Sequence, residues 1–349
     1  MNIEVDYIIV GLGLAGISFA EILERNNKSF VVFENNSQTS SLVAGGVYNP
    51  VILKRFNAAW NGHKQIERSK SFYKSLEKKL NVKLDHKFSI KKAFTSIGDE
   101  NNWFLALDKP TLLNYMMPEI SKEKIDGIIG DFGFGELKGT GRIDTELLVK
   151  SYREYLKNSN KLLEETFNYD KLNISENRIN YKSIKAKKVI FCEGFGITEN
   201  PFFNYLPLNE AKGETIIIHA PGLKIDFLLK SSVFVMPLQK DHYRVGATFN
   251  WTDKTCKPTK EAREELEEKL KKAITVPYTV VDQTAGIRPT VNDRRPLVGI
   301  HSKYKELVVL NGLGTRGVMI GPTIANNLFN HLEKGEELDK EIDIKRFNT

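Results

Sequence analysis

Apolar residues fall along this chain in two textures, continuous runs and broken, strand-like runs, and the two predict different kinds of sheet. Val5–Val10 (VDYIIV) is short, β-branched and closed by a glycine, as expected for a strand buried on both faces. Leu14–Glu24 then follows a helical period, and Lys28–Glu34 (KSFVVFE) predicts a second strand. Strand, helix and strand within about 30 residues make the βαβ unit of a parallel sheet. Lys187–Cys192 and Leu307–Leu310 are further continuous runs, the last followed by a glycine-rich turn and a helix expected over Pro322–Leu332.

Between Glu214 and Thr248 the texture changes. TIIIH, SVFVMPL and YRVGATF are strand-like runs broken by Pro, Gly and Asp, which predicts an antiparallel sheet. Helices are expected at His63–Leu80, at Asp144–Leu156 with Asp144 as N-cap, and at the charge-laced Lys260–Ile274. Asn35–Gly46 reads as loop, and Phe88–Phe134 has no period that assigns its elements. A nucleotide-binding fold thus opens and closes the chain, with a more antiparallel portion inserted.

Composition narrows the classes. Apolar residues are 41% and charged residues 27% of 349, ordinary for a globular protein long enough to bury a large core. Two cysteines, Cys192 and Cys256, exclude a disulfide framework and a four-thiolate zinc site, and no metal is expected. Cys192 sits in an apolar run and is expected to pack as a small hydrophobe. The apolar stretch near the start follows acidic residues and is too short and glycine-rich to span a bilayer, so a cytoplasmic protein is expected. The net charge of +7 is uneven: Lys54–Lys92 holds 12 basic and 3 acidic residues. Such a segment either attracts an anionic partner or forms a solvated helix face.

The strongest chemical signal is Gly11-Leu12-Gly13-Leu14-Ala15-Gly16, between a predicted strand and a predicted helix. Gly11 permits a tight turn, Gly13 admits a pyrophosphate to the backbone, and Gly16 allows close packing of helix on strand. The free N–H groups and dipole of the helix start favour phosphate there. Glu34, 18 residues past Gly16 at the end of the second strand, suits ribose hydroxyls and would repel a 2′-phosphate. The order of these parts points to a dinucleotide and disfavours NADP, without separating FAD from NAD.

Other stretches make that separation. Ser40–Pro50 (SSLVAGGVYNP), Lys188–Gly196 (KVIFCEGFG), Val233–Thr248, Gly286–Gly299 and Asn311–Pro322 (NGLGTRGVMIGP) occur in this order. In that order the chain resembles the D-amino-acid oxidase-like superfamily of FAD-dependent oxidoreductases, which includes glycine oxidase and sarcosine oxidase. The resemblance implies an α/β fold: a Rossmann-like FAD-binding domain from segments 1-80, 140-205 and 285-349, with an inserted α+β substrate domain (81-139 and 206-284) built on an antiparallel sheet. It implies FAD contacts from Gly11–Gly16, Glu34 and Asn35, from Ser41, Ala44, Gly45, Gly46 and Val47, and from Phe167. It extends them to Cys192, Glu193 and Gly194, to Arg288, and to Gly312, Gly314, Thr315, Arg316, Gly317, Val318 and Met319. Substrate contacts are implied at Arg288, Tyr48, Phe234 and Met236, and a catalytic part for Arg288 and for the backbone around Gly314, Thr315 and Arg316.

In amino-acid-oxidising members the arginine matching Arg288 binds the substrate carboxylate, a task suited to a guanidinium that is always charged and offers a bidentate fork. The competing reading is a structural arginine paired with Asp293. Phe234 stands where such relatives often carry tyrosine, so that hydroxyl contact is not carried over. The closing loop has no cysteine or histidine, so the FAD is expected to be non-covalent, and His63 reads as an ordinary surface histidine. The implied reaction is oxidation of a C–N bond in a small amine or amino acid. Three alternatives stay open: a tRNA wobble-uridine side-chain oxidase, whose oxidase domain the AGGVYNP loop also resembles; a non-catalytic FAD-binding subunit; and an NAD-dependent dehydrogenase. A homo-oligomer is compatible with the sequence.

Overall fold

The computed structural model describes residues 3–175 and 178–347. The strand Ile3–Val10 runs into helix α1 (Leu14–Arg25) and returns as the strand Phe30–Phe33, paired parallel in the register Tyr7↔Phe30 to Val10↔Phe33. On its other edge Ile3–Val10 pairs parallel with Ile184–Phe191, from Ile3↔Ile184 to Val10↔Phe191. Ile184–Phe191 pairs antiparallel with Arg178–Tyr181 through its first half and parallel with Leu307–Asn311 through its second. The apolar run is continuous because both faces are covered. Tyr7 and Ile9 belong to one core with the helices, while Ile8 and Val10 belong to another with Phe167, Tyr181 and Phe203.

Three of the remaining helices follow local signals. A single turn, α2 (Ser40–Val43), lies inside the segment expected to be loop, because its residues are packed against the second sheet rather than set by their own propensity. Helix α3 (Gly62–Leu80) buries Ile66, Phe72, Tyr73 and Leu76 along one stripe. Helix α4 (Ile97–Leu107) lies in the stretch that had no assignable period. Its cap is nevertheless written in the sequence: Ser96 Oγ accepts from Asp99 N at 3.2 Å. Helix α5 (Thr145–Asn158) is capped by Asp144, whose carboxylate accepts from Leu147 N at 3.1 Å, as expected.

The second sheet has eight strands in the order Thr279–Arg288, Ala211–His219, His242–Gly246, Phe234–Pro237, Leu228–Lys230, Ile90–Ala93, Phe134–Leu137 and Met116–Ser121. It is antiparallel but for one pair: Leu228–Lys230 runs parallel to Ile90–Ala93, which arrives from a remote part of the chain. Helix α6 (Lys260–Leu270) covers one face through Leu266 and Leu270, four residues shorter than expected. Thr279–Arg288 carries this sheet to Arg288, so the boundary drawn at 284 falls inside a strand. The outer ends of the segments 1-80 and 285-349 lie outside the described residues.

The last helix, α7 (Gly317–Lys334), starts five residues before the expected Pro322, which lies inside it. Packing overrides the proline. A Cβ on Gly317 would come 2.9 Å from Leu14 Cδ1 and one on Gly321 2.9 Å from Ser18 Oγ, so the helix start is pressed against α1. Among the described residues no helix is long and apolar enough to cross a membrane.

Candidate functional site

Where Ile3–Val10 ends, Gly11 turns with φ +98°, its N–H donating to Phe33 O at 2.8 Å. A Cβ there would meet Cys192 O at 2.5 Å, and one on Gly16 would meet Gly11 O at 2.0 Å. The turn is therefore wedged between two strand ends and the first turn of α1. Glu34 accepts from Leu12 N and from Asn36 N, each at 2.6 Å, so its carboxylate faces the turn. Ser41 Oγ accepts from Leu14 N at 3.1 Å, bringing α2 onto the start of α1, where N–H groups and dipole favour an anion.

The strand after α2 is fixed from several sides. Gly46 has φ +67°, and a Cβ there would lie 1.9 Å from Ile143 O. Thr145 Oγ1 donates to Ala44 O at 3.1 Å, and Arg244 Nη1 to Val43 O at 2.9 Å. Ser40 Oγ donates to Ile287 O. This loop thus binds the second sheet to the first, and a cavity of about 1100 Å³ opens between them.

Arg288 ends the strand nearest that junction. Its guanidinium lies on Gly213, where a Cβ would come within 1.8 Å of Nη2. Nη1 donates to Thr248 O at 3.3 Å, and the guanidinium carbon sits 4.4 Å from the centroid of the Phe249 ring. Among the described residues no carboxylate pairs with it, and Asp293 is instead held by Arg346 at 2.9 Å. Burial without a counter-charge draws the Arg288 pKa down to about 10, still cationic at neutral pH. The structural pairing weighed from the sequence is absent, which leaves an unbalanced cation facing the cavity.

The cavity collects most of the residues expected there. Gly11–Ala15, Glu34, Asn35, Ser41, Ala44–Val47, Phe167, Cys192, Glu193, Gly194, Phe234, Arg288, Gly314, Thr315, Gly317 and Val318 line it. Six do not. Gly16 packs beneath the turn. Tyr48 is 2% exposed and its hydroxyl donates to Asp85 at 2.8 Å, because the strand alternation turns it into the core. Met236 shares its strand face with Phe234 but packs in a core with Val51, Leu53 and Leu228, and Met319 packs in the core on α7. Gly312 serves the turn (φ +69°) and Arg316 caps α7 away from the lining. Of the closing loop, Gly314 N–H is committed to Pro289 O at 3.1 Å and Arg316 N–H to Leu313 O at 3.4 Å, within the 3-10 turn that leads into α7. His63 lies off the cavity, 2.6 Å from the Tyr115 hydroxyl.

Ser40, Arg244, Phe249 and Lys230 were not foreseen, because their parts depend on which strands become neighbours. Glu193 was foreseen by position but not by chemistry. Asn200 Nδ2 donates to it at 2.7 Å, as does the Tyr169 hydroxyl, and burial pushes its carboxyl up from 4.5 to about 7. The folded protein then holds a proton that the unfolded chain releases, so stability is full below about pH 4.5 and falls as pH rises through about 7. Glu193→Gln is expected to raise the melting temperature at about pH 8 and to leave it nearly unchanged at about pH 4. An equal effect at both values in thermal denaturation would count against a titrating Glu193.

The fit to an adenine dinucleotide rests on these features: a glycine turn that a Cβ would fill, a helix start beside it, and a carboxylate above it. The volume exceeds the roughly 300–1,000 Å³ of drug-sized sites, leaving room for a substrate as well. Comparison with known proteins agrees. A model of the FAD dependent oxidoreductase family matches residues 6–329. A D-amino acid dehydrogenase of Helicobacter pylori is 26% identical over 232 residues, 61% of this chain and 54% of its own length. The chain thus spans about half of that relative. Glycine oxidase of Bacillus subtilis is 22% identical over 348 residues, 92% of this chain and 91% of its own. The bifunctional tRNA 5-methylaminomethyl-2-thiouridine biosynthesis protein of Idiomarina loihiensis is 26% identical over 150 residues, 41% of this chain and 24% of its own. The crystal structure of glycine oxidase from Bacillus cereus shares the fold, with a TM-score of 0.76 at 17% identity, covering 95% of this chain and 96% of its own.

Proposed function

The chain belongs to the FAD-dependent oxidoreductase family, and from that premise we propose that it oxidises the C–N bond of an amino acid or related amine: a D-amino acid, glycine or an N-alkyl glycine. The carrying observation is Arg288, a half-buried guanidinium with no carboxylate partner among the described residues, on the wall of the cavity that the dinucleotide turn also lines. In this reading segments 1-80, 140-205 and 285-349 hold the cofactor without a covalent link, and 81-139 and 206-284 shape the substrate side. Arg288 belongs to the substrate side through its strand.

When bound, the flavin supplies the acceptor for a hydride from the substrate carbon. Arg288 takes the substrate carboxylate in its fork, with Phe249 and Thr248 O fixing the guanidinium plane, and so aims the C–H bond. Phe234, lying against Gly246 and near Gly45, narrows the space beside it and excludes water. Such an apolar wall favours the neutral amine, whose lone pair forms the C=N bond as the hydride departs. The imine then hydrolyses in water.

A tRNA substrate draws less support. Of the 12 basic residues in Lys54–Lys92, Lys54 alone lines the cavity. Lys79, Lys83 and Lys92 are paired with Glu21 and Glu24, Glu77, and Asp99. The test is anaerobic mixing of the flavin-loaded protein with D-amino acids, glycine, N-methylated amino acids and proline analogues. At least one group is expected to bleach the flavin bands, and a flavin that none of them reduces would refute the assignment.

A further inference from the structure

We propose that the cavity holds a second anion site at Lys230, so that the preferred substrate carries an acid group well beyond the carboxylate bound at Arg288. This rests on the C–N oxidation reading above and narrows it to elongated, dianionic amino acids or amines.

Lys230 ends the strand Leu228–Lys230. In the register of the second sheet it lies in one row with Phe234, Gly246, Thr215 and Thr284. All five line the cavity. Arg288 lies four residues beyond Thr284 on the same strand, hence on the same face. Two cations therefore look into one cavity from opposite parts of one sheet.

Lys230 differs from a solvated rim lysine in its surroundings. It is partly buried beside Leu228 and Ile90, and among the described residues its side chain makes no hydrogen bond or ion pair. The charges nearest it are Lys92 and Lys269, both positive. Lys92 and Lys269 have acids of their own, Asp99 and Glu265, whereas Lys230 has none. Burial and these like charges draw its pKa down to about 8, which a bound anion would reverse. Lys54 and Lys269 complete a basic end to the cavity. An uncompensated, partly desolvated ammonium among cations is costly unless an anion arrives there.

Spacing sets the ligand's length. The guanidinium rests on Gly213, and three strand-to-strand steps separate that strand from that of Lys230. At about 4.8 Å a step this is roughly 14 Å between backbones, before either side chain reaches inward. A longer chain ending in a carboxylate or phosphate spans more of that distance than a short diacid such as aspartate, so the gain from a distal acid is expected to grow with chain length.

The experiment titrates flavin-loaded protein with unreactive α,ω-dicarboxylates from succinate to sebacate, and with monocarboxylates of matching length, following the flavin spectrum. A long diacid is expected to bind about tenfold or more tightly than its monocarboxylate partner. Lys230→Gln and Lys230→Met should abolish that advantage and leave the monocarboxylate Kd within about twofold, while Lys230→Arg retains it. No diacid advantage in the wild-type protein, or equal loss for both ligands in the variants, overturns the proposal. Bleaching by neutral amino acids without gain from a distal acid overturns this proposal alone. Absence of bleaching by any amine overturns the function beneath it as well.

Discussion

Gly16→Ala is expected to purify colourless. The added methyl would sit 2.0 Å from Gly11 O, a backbone atom that cannot swing aside. Gly11 is held by its N–H bond to Phe33 O in a turn of φ +98°, with the Cys192 carbonyl filling the place a Cβ would take. Either α1 or the turn must shift, and forcing extra volume into such a contact costs about 1–3 kcal/mol. The larger effect falls on the ligand. The N–H groups at the start of α1 bind phosphate only when that start points at it, and a displacement of about an ångström removes the alignment. In Gly13→Ala the methyl would meet Ser41 Oγ at 2.9 Å, a side chain that can rotate, and would stand where the pyrophosphate approaches the backbone. This variant should keep flavin at reduced affinity. Absorbance in the flavin bands per mole of protein checks both, and a stoichiometric flavin content in Gly16→Ala would show the turn to be dispensable.

Arg288→Met is expected to keep its flavin and lose its substrate. Removing one partner of a buried, hydrogen-bonded charge pair costs about 2–5 kcal/mol, which is roughly 30-fold to several thousandfold in kcat/KM. Arg288→Lys keeps the charge but not the planar fork, so a smaller rise in KM is expected. Arg288→Met should not destabilise the free protein: Arg288 is a half-buried cation with no carboxylate partner among the described residues, and its removal relieves desolvation. Steady-state kinetics, flavin content and the melting temperature separate the outcomes. Unchanged KM in Arg288→Met would take the guanidinium out of substrate binding, and loss of flavin would make it a cofactor-binding residue instead.

Gly16 and Arg288 were both readable in the sequence, for different reasons. Gly16 belongs to a strand, turn and helix within a few residues, where spacing alone fixes what touches what. The N-cap at Asp144 and the run Val5–Val10 are legible on the same ground, and the capped start of α4 at Ser96 carried a signal of the same kind. Arg288 was found only through likeness to a family, since nothing near it in the chain says that Gly213 lies beneath it or that Asp293 turns to Arg346.

Where reading failed, a distant neighbour decided. Pro322 marks a helix start by local rules, yet α7 begins at Gly317 because Leu14 and Ser18 press on it from the far end of the chain. Tyr48 and Met236 were placed in the site and are found in the core, while Lys230 was passed over and faces the cavity. Alternation in a strand states that successive side chains point to opposite faces, but not which face another sheet will leave open. By itself the sequence determined the dinucleotide turn and the βαβ unit around it, because these arise from contacts between near neighbours, while the flavin was legible only through likeness to a family. Tertiary structure alone decided which side chains share the cavity, because eight strands from separated segments must first pair before any row of residues exists.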